Sequence, residues 1–204
     1  MTATETSETA TADLARAANS TMEVLKRVRA EQMAAPTPCA SWDVHALINH
    51  FVGSARFWAA LFEGKDDAPA PDSASEDYPS ADYAAGDFVA AYEESIRIAC
   101  AAFTADGALE RTVRLGPDEL PGAVVLGFAT TDQFTHGWDL ARAIGQPADD
   151  LDPELAERLL AQARMAVTDS YRGVDGVAVF GPERPAPAEA SPADRLAAFL
   201  GRSM

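Results

Sequence analysis

An all-α fold follows from three features of this 204-residue sequence. Alanine, which loses the least on entering a helix, makes up roughly a fifth of the chain. Apolar residues recur every three or four positions over long segments, the signature of one buried helix face. Hydrophobic residues total 48%, enough to bury a sizeable core, and the length suits one domain.

The first helix is predicted from about Ala10 to Met33, with Leu14, Ala18, Met22, Leu25 and Val28 on one face. Ala34-Ala35-Pro36-Thr37-Pro38 stops it, because proline lacks a donor and restricts its predecessor. A second helix should open at Ser41 as N-cap and close at Gly64, its seam reading Leu47, His50, Ser54, Phe57, Leu61. Residues 65–82 are polar and proline-bearing and read as a long loop. The third helix, about Tyr83 to Ala105, aligns Phe88, Tyr92, Ile96, Ala99 and Phe103. Alternation between Glu110 and Leu115 suggests a short strand, and Gly116-Pro117-Asp118 a turn. The fourth helix runs from a first-turn Pro121 to a terminal Gly145. The fifth, Pro153 to about Tyr171, buries Leu155, Leu159, Leu160, Ala163 and Val167. Beyond Gly173 the chain is rich in Gly and Pro until a short helix at Asp194 to Leu200. The expected organisation is a helix bundle over residues 1–172 with a C-terminal extended tail, 173–204, whose short helix packs on the bundle.

Charge narrows the function. Against 32 acidic residues there are 16 basic ones, a net charge of −16, which argues against nucleic acid and against an anionic membrane surface as partners. Two cysteines, Cys39 and Cys100, make no disulfide framework, and the N-terminus has no basic-then-apolar leader, so a cytoplasmic protein is expected. Three histidines leave a short list for metal or acid/base chemistry.

His45 and His50 are five residues apart, so on a helix they diverge by about 140° and do not share a face. His45 reads as a surface residue. His50 takes a seam position where Leu or Ile would be ordinary, and a buried imidazole needs both nitrogens used, by hydrogen bonds or by a metal. On the fourth helix the seam through Val125 and Ala129 continues to Asp132 and His136, which at i,i+4 stack roughly 6 Å apart at Cβ. That pair reads either as a hydrogen bond on a solvated face or, with His50, as two imidazoles and a carboxylate around one ion. Three protein ligands leave a position for substrate, the pattern of a catalytic zinc site. Asp139 is a candidate to orient His136, a candidate partner of Arg142 or Arg111, or an ordinary surface carboxylate. Cys39 reads as a reactive thiol near a helix N-terminus or as a small buried residue. Trp42 and Trp138 read as core or site-wall aromatics.

The segments Thr37-Pro38-Cys39-Ala40-Ser41-Trp42-Asp43-Val44, His50, Thr131-Asp132-Gln133-Phe134-Thr135-His136-Gly137-Trp138-Asp139-Leu140-Ala141-Arg142-Ala143 and Gly145 together resemble the mycothiol-dependent maleylpyruvate isomerase N-terminal domain family of the DinB/YfiT-like superfamily. Phe180-Gly181-Pro182-Glu183 and Asp194-Arg195-Leu196 resemble its short metal-binding branch. The resemblance implies a DinB-like four-helix bundle, up-down-down-up with a long crossover, holding a divalent metal, usually zinc. By position the ligands fall on His50, Asp132 and His136. The isomerases carry Glu where this chain has Asp132, one methylene shorter. They also continue into a C-terminal domain for which about thirty residues after the fifth helix do not suffice, so an activity other than maleylpyruvate isomerisation is expected.

The function expected from the resemblance is a metal-dependent transferase or isomerase of low-molecular-weight thiols, with mycothiol as cosubstrate and a small electrophile as the other substrate. The alternative is a non-catalytic or stress-related metal-binding helical protein. A homodimer through exposed apolar helix faces is left open.

Overall fold

A computed structural model of the chain describes residues 3–64, 82–115, 118–148, 151–174 and 178–204. Most of them lie in six α-helices: α1 (Ala3–Leu25), α2 (Val44–Phe62), α3 (Phe88–Phe103), α4 (Gly122–Ala143), α5 (Pro153–Ala166) and α6 (Pro192–Phe199). Sheet structure among the described residues is two short strands, β1 (Thr112–Leu115) and β2 (Asp118–Pro121), paired antiparallel. The class is all-α, as the alanine content and the three-and-four spacing predict. Of the expected loop at 65–82, residues 65–81 lie outside the described residues, as do Gly116 and Pro117 of the expected turn. No helix among the described residues is long and apolar enough to cross a membrane.

Contacts divide the chain into two compact units, one of residues 1–18 and 48–133 and one of residues 19–47 and 134–204. Helices α1, α2 and α4 contribute residues to both.

The first unit closes around Leu14, Ala55, Phe62, Phe103, Leu126 and Ala129, with the Phe62 and Phe103 rings edge to face at 4.5 Å. Helix α3 turns Tyr92, Ser95, Ala99 and Phe103 inward, close to the predicted stripe. It starts later than expected because Asp87 accepts a hydrogen bond from the Ala90 N–H at 3.0 Å and becomes the N-cap, leaving Tyr83–Ala85 as a separate 3-10 turn. Pro121 also differs from expectation. It ends β2, and α4 begins at Gly122, where a Cβ would overlap the Ala108 carbonyl oxygen. The carbonyls of Arg111 and Leu109 accept from the N–H groups of Gly122 and Ala123, so the helix start is satisfied by the preceding turn.

In the second unit α1 stops at Leu25 rather than continuing to Met33, and Ala30–Gln32 form a 3-10 turn. Residues 33–45 fold back on themselves: Val44 N–H donates to Ala35 at 3.0 Å and His45 N–H to Met33 at 2.9 Å. Thr37 Oγ1 accepts from the Cys39 N–H at 3.1 Å and lies 2.9 Å from the Trp42 carbonyl, closing the turn. Helix α2 is therefore capped by Asp43, whose Oδ1 accepts from the Ala46 N–H at 2.8 Å, and Ser41 stays in the turn. Helix α5 ends at Ala166, with a 3-10 turn at Asp169–Tyr171 where the longer helix was expected. Helices α5 and α6 pack together. Arg172 holds the tail by donating to the Gly181 and Phe199 carbonyls at 2.9 and 2.8 Å, its guanidinium 4.6 Å from the Phe199 ring centroid.

Candidate metal centre

Helix α4 is enclosed over its second half. Residues 133–141 are buried without interruption, Gln133, Thr135, His136 and Asp139 among them. Polar groups in such a stretch need partners inside the protein. Gly137 allows the enclosure on one side, since a Cβ there would overlap the buried Thr21 hydroxyl.

Asp132 sits on α4 one turn before His136, so helix geometry puts both on one face. The His50 Nε2 lies 3.5 Å from Asp132 Oδ1. The other carboxylate oxygen is well supplied: Oδ2 accepts from Ser54 Oγ at 2.7 Å, Gln133 Nε2 at 3.2 Å and Trp58 Nε1 at 3.5 Å. Ser54 is one turn beyond His50 on α2, so the predicted seam supplies a histidine and the hydroxyl that orients its neighbour. The potential ligand atoms of His50, Asp132 and His136 all lie within 4.8 Å of one another. Both imidazoles are buried, each residue 7% exposed.

A second group lies one turn further along α4. Asp139 is fully buried, and its Oδ2 accepts from His136 Nδ1 at 3.0 Å, Cys39 Sγ at 3.2 Å and Arg202 Nη2 at 3.1 Å. Arg202 Nε reaches the other oxygen at 3.3 Å. Burial alone would raise the Asp139 pKa, but Arg202 and then His136 outweigh it and hold the carboxyl well below the usual range. Arg202 is pushed above its ordinary value, because Asp139 and Cys39 outweigh its burial. At Cys39, burial and then the Asp139 charge push the thiol up, with His136 and Arg202 offsetting in part. Trp42 stands against the His136 ring, centroids 5.7 Å apart and planes tilted by 55°.

His50 and Asp132 thus meet as seam positions of α2 and α4, and His136 follows Asp132 by one turn on α4. Asp139 is the acceptor for His136, and its arginine is Arg202 rather than Arg142 or Arg111. Arg142 instead lies over the Trp138 ring, and Arg111 donates to the Phe62 carbonyl. Cys39 is buried in the turn rather than exposed at a helix N-terminus. His45 is half-buried in the first turn of α2. Trp138 is a core residue whose Nε1 donates to Asp194 at 2.8 Å. Sequence reasoning missed Trp58, Gln133 and Arg202. For Ser54 and Gln133 the signal was present, since a polar residue on a buried face needs a partner. For Arg202, 63 positions from Asp139, no local pattern exists.

The donor set suits a divalent transition metal. Zinc bonds of about 2.0–2.1 Å at tetrahedral angles separate neighbouring donors by roughly 3.3–3.4 Å, close to the 3.5 Å between His50 Nε2 and Asp132 Oδ1. His136 donating Nδ1–H to a buried carboxylate leaves Nε2 as its lone-pair nitrogen, the usual arrangement of a ligating histidine.

Fold and residues together define a DinB-like, mainly α-helical protein with candidate metal-ligand groups. More specifically, the chain belongs to the mycothiol maleylpyruvate isomerase N-terminal domain family, whose model matches residues 14–141. Two relatives from Mycobacterium tuberculosis, "Uncharacterized protein MT0763" and "Uncharacterized protein Rv0738", are each 41% identical over 190 residues, covering 93% of this chain and 95% of their own. No solved structure matches the chain significantly.

Proposed function

We propose that His50, Asp132 and His136 hold one divalent metal ion, zinc in the first instance, and that the protein is a transferase or isomerase that uses mycothiol or a similar small thiol against an electrophilic substrate. The observation that carries the reading is the donor set itself: two buried imidazoles and a carboxylate with ligand atoms within 4.8 Å, on a chain of a mycothiol-related family.

When bound, the ion would supply Lewis acidity that favours the thiolate of an incoming thiol at neutral pH. The chain's own groups do the rest. Ser54, Gln133 and Trp58 fix Asp132 through Oδ2, and Oδ1 is the oxygen that faces His50 Nε2. Asp139 accepts the Nδ1 proton of His136 and sets its tautomer. Trp42 stands against the His136 ring and forms part of its wall. Two neutral imidazoles and one carboxylate leave a divalent ion with a net positive charge, which favours an anionic ligand such as a thiolate.

Elemental analysis of the wild type against His50→Ala tests the site, with about one metal per chain in the first and loss in the second as the expected result. Activity is tested by incubating loaded protein with mycothiol and a panel of electrophiles. A thioether formed by the wild type and not by His136→Ala supports catalysis. Metal binding without any adduct, together with unfolding on chelation, would instead favour a non-catalytic metal-binding protein.

A further inference from the structure

Cys39, His136 and Asp139 form a second donor set, of which the proposed function uses only His136 as a ligand. All three are buried, and one potential ligand atom from each lies within 4.8 Å of the other two. Their contacts are direct: Cys39 Sγ and His136 Nδ1 both meet Asp139 Oδ2, at 3.2 and 3.0 Å. They belong to one compact unit, with Cys39 held in the Thr37 turn and the other two on α4.

We infer that these residues make a second cation site, selective for thiophilic ions such as Cd(II) and Cu(I). Selectivity follows from Arg202. Its guanidinium already pairs with both oxygens of Asp139, so a hard, oxygen-seeking ion would have to displace a buried arginine from the set's one carboxylate. A soft ion instead takes its bonding chiefly from the thiolate and the imidazole; Arg202 Nη2 touches Cys39 Sγ only at 3.5 Å, against 3.1 Å to Asp139 Oδ2. On binding, the Cys39 S–H proton is released to solvent as the metal–sulfur bond forms, and His136 moves its ring proton from Nδ1 to Nε2, which turns the Nδ1 lone pair to the ion.

The consequence is competition. His136 belongs to both sets, and a neutral imidazole offers one lone pair at a time. A thiophilic ion at Cys39 therefore takes His136 away from His50 and Asp132. The competition rests on the proposed function, whereas the existence of the second site does not.

The probe is Cd(II) alone, followed by the ultraviolet thiolate-to-cadmium charge-transfer band. The expected result is a band saturating at about one ion per chain in wild type, Cys100→Ser and His50→Ala, and absent in Cys39→Ser. Arg202→Ala should bind Cd(II) more tightly, since it frees the carboxylate. Circular dichroism and melting of each variant identify any that does not fold. No saturable band in the wild type, or a band that survives Cys39→Ser and disappears in Cys100→Ser, would overturn the proposal. Loss of zinc but not of the cadmium band in His50→Ala separates the two sites. If zinc never binds while the cadmium band appears, the proposed function fails and this site stands. If a pre-bound zinc ion is not displaced as the band grows, the shared use of His136 is refuted.

Discussion

Asp139→Ala should destabilise the protein by about 3–5 kcal/mol, the usual loss when one partner of a buried ion pair is removed. The structure places this mutation at the high end. Asp139 is fully buried and its Arg202 partner is 14% exposed at the side chain, so solvent offers the stranded guanidinium little compensation. The His136 Nδ1–H and the Cys39 thiol lose their acceptor in the same step. For a chain of this size, about 2–4 °C per kcal/mol gives a melting temperature lower by roughly 6–20 °C. Urea unfolding and calorimetry of metal-free protein measure it. A double variant, Asp139→Leu with Arg202→Met, removes both charges together and should recover much of the loss. The reasoning is refuted if Asp139→Ala costs less than about 1 kcal/mol, or if the double variant is as unstable as the two single changes combined. The same pair sets a pH dependence. Because the folded pKa of Asp139 lies below its unfolded value, its contribution is fully present above the ordinary carboxylate range and is lost as pH falls through the folded value. Wild type should therefore lose stability in acid more steeply than Asp139→Asn, as acid titration followed by circular dichroism would show.

Three further outcomes are expected. Gly137→Ala should cost about 1–3 kcal/mol by overpacking against Thr21, and Thr21→Ala in the same chain should restore part of it, read by urea unfolding. Ser54→Ala should weaken metal affinity by roughly 10–100-fold without unfolding the protein, because it removes the 2.7 Å donor to Asp132; chelator competition measures this. Arg172→Ala should leave two carbonyls without their donor and loosen the tail, so limited proteolysis should cut sooner between residues 178 and 204 than in wild type.

The helices were legible because burial imposes a period, and the period survives in sequence: Leu14, Ala18 and Leu25 on α1 and Leu155, Leu159 and Ala163 on α5 are buried as spaced. Helix ends were less legible, since they depend on competition among local caps. Asp43 prevailed over Ser41 because the N–H groups of Val44 and His45 donate to the Ala35 and Met33 carbonyls, and Asp87 prevailed because Asp82 could close its own turn. β2 was missed for a related reason, as Asp118-Glu119-Leu120-Pro121 has no alternation and takes its form from β1. The candidate metal ligands were visible as polar residues in an apolar seam. Arg202 was not, because an ion pair between distant segments has no period to read.

The hydrogen bond from His136 to Asp139 has a spectroscopic consequence. An imidazole N–H donating to a carboxylate with no exposed surface is shielded from exchange with water, so its proton should persist long enough to give a separate downfield NMR resonance. That single proton reports on the centre from within. Displacement of its acceptor, a change of tautomer, or capture of Nδ1 by a soft ion would shift or abolish the line, with no substrate or turnover required.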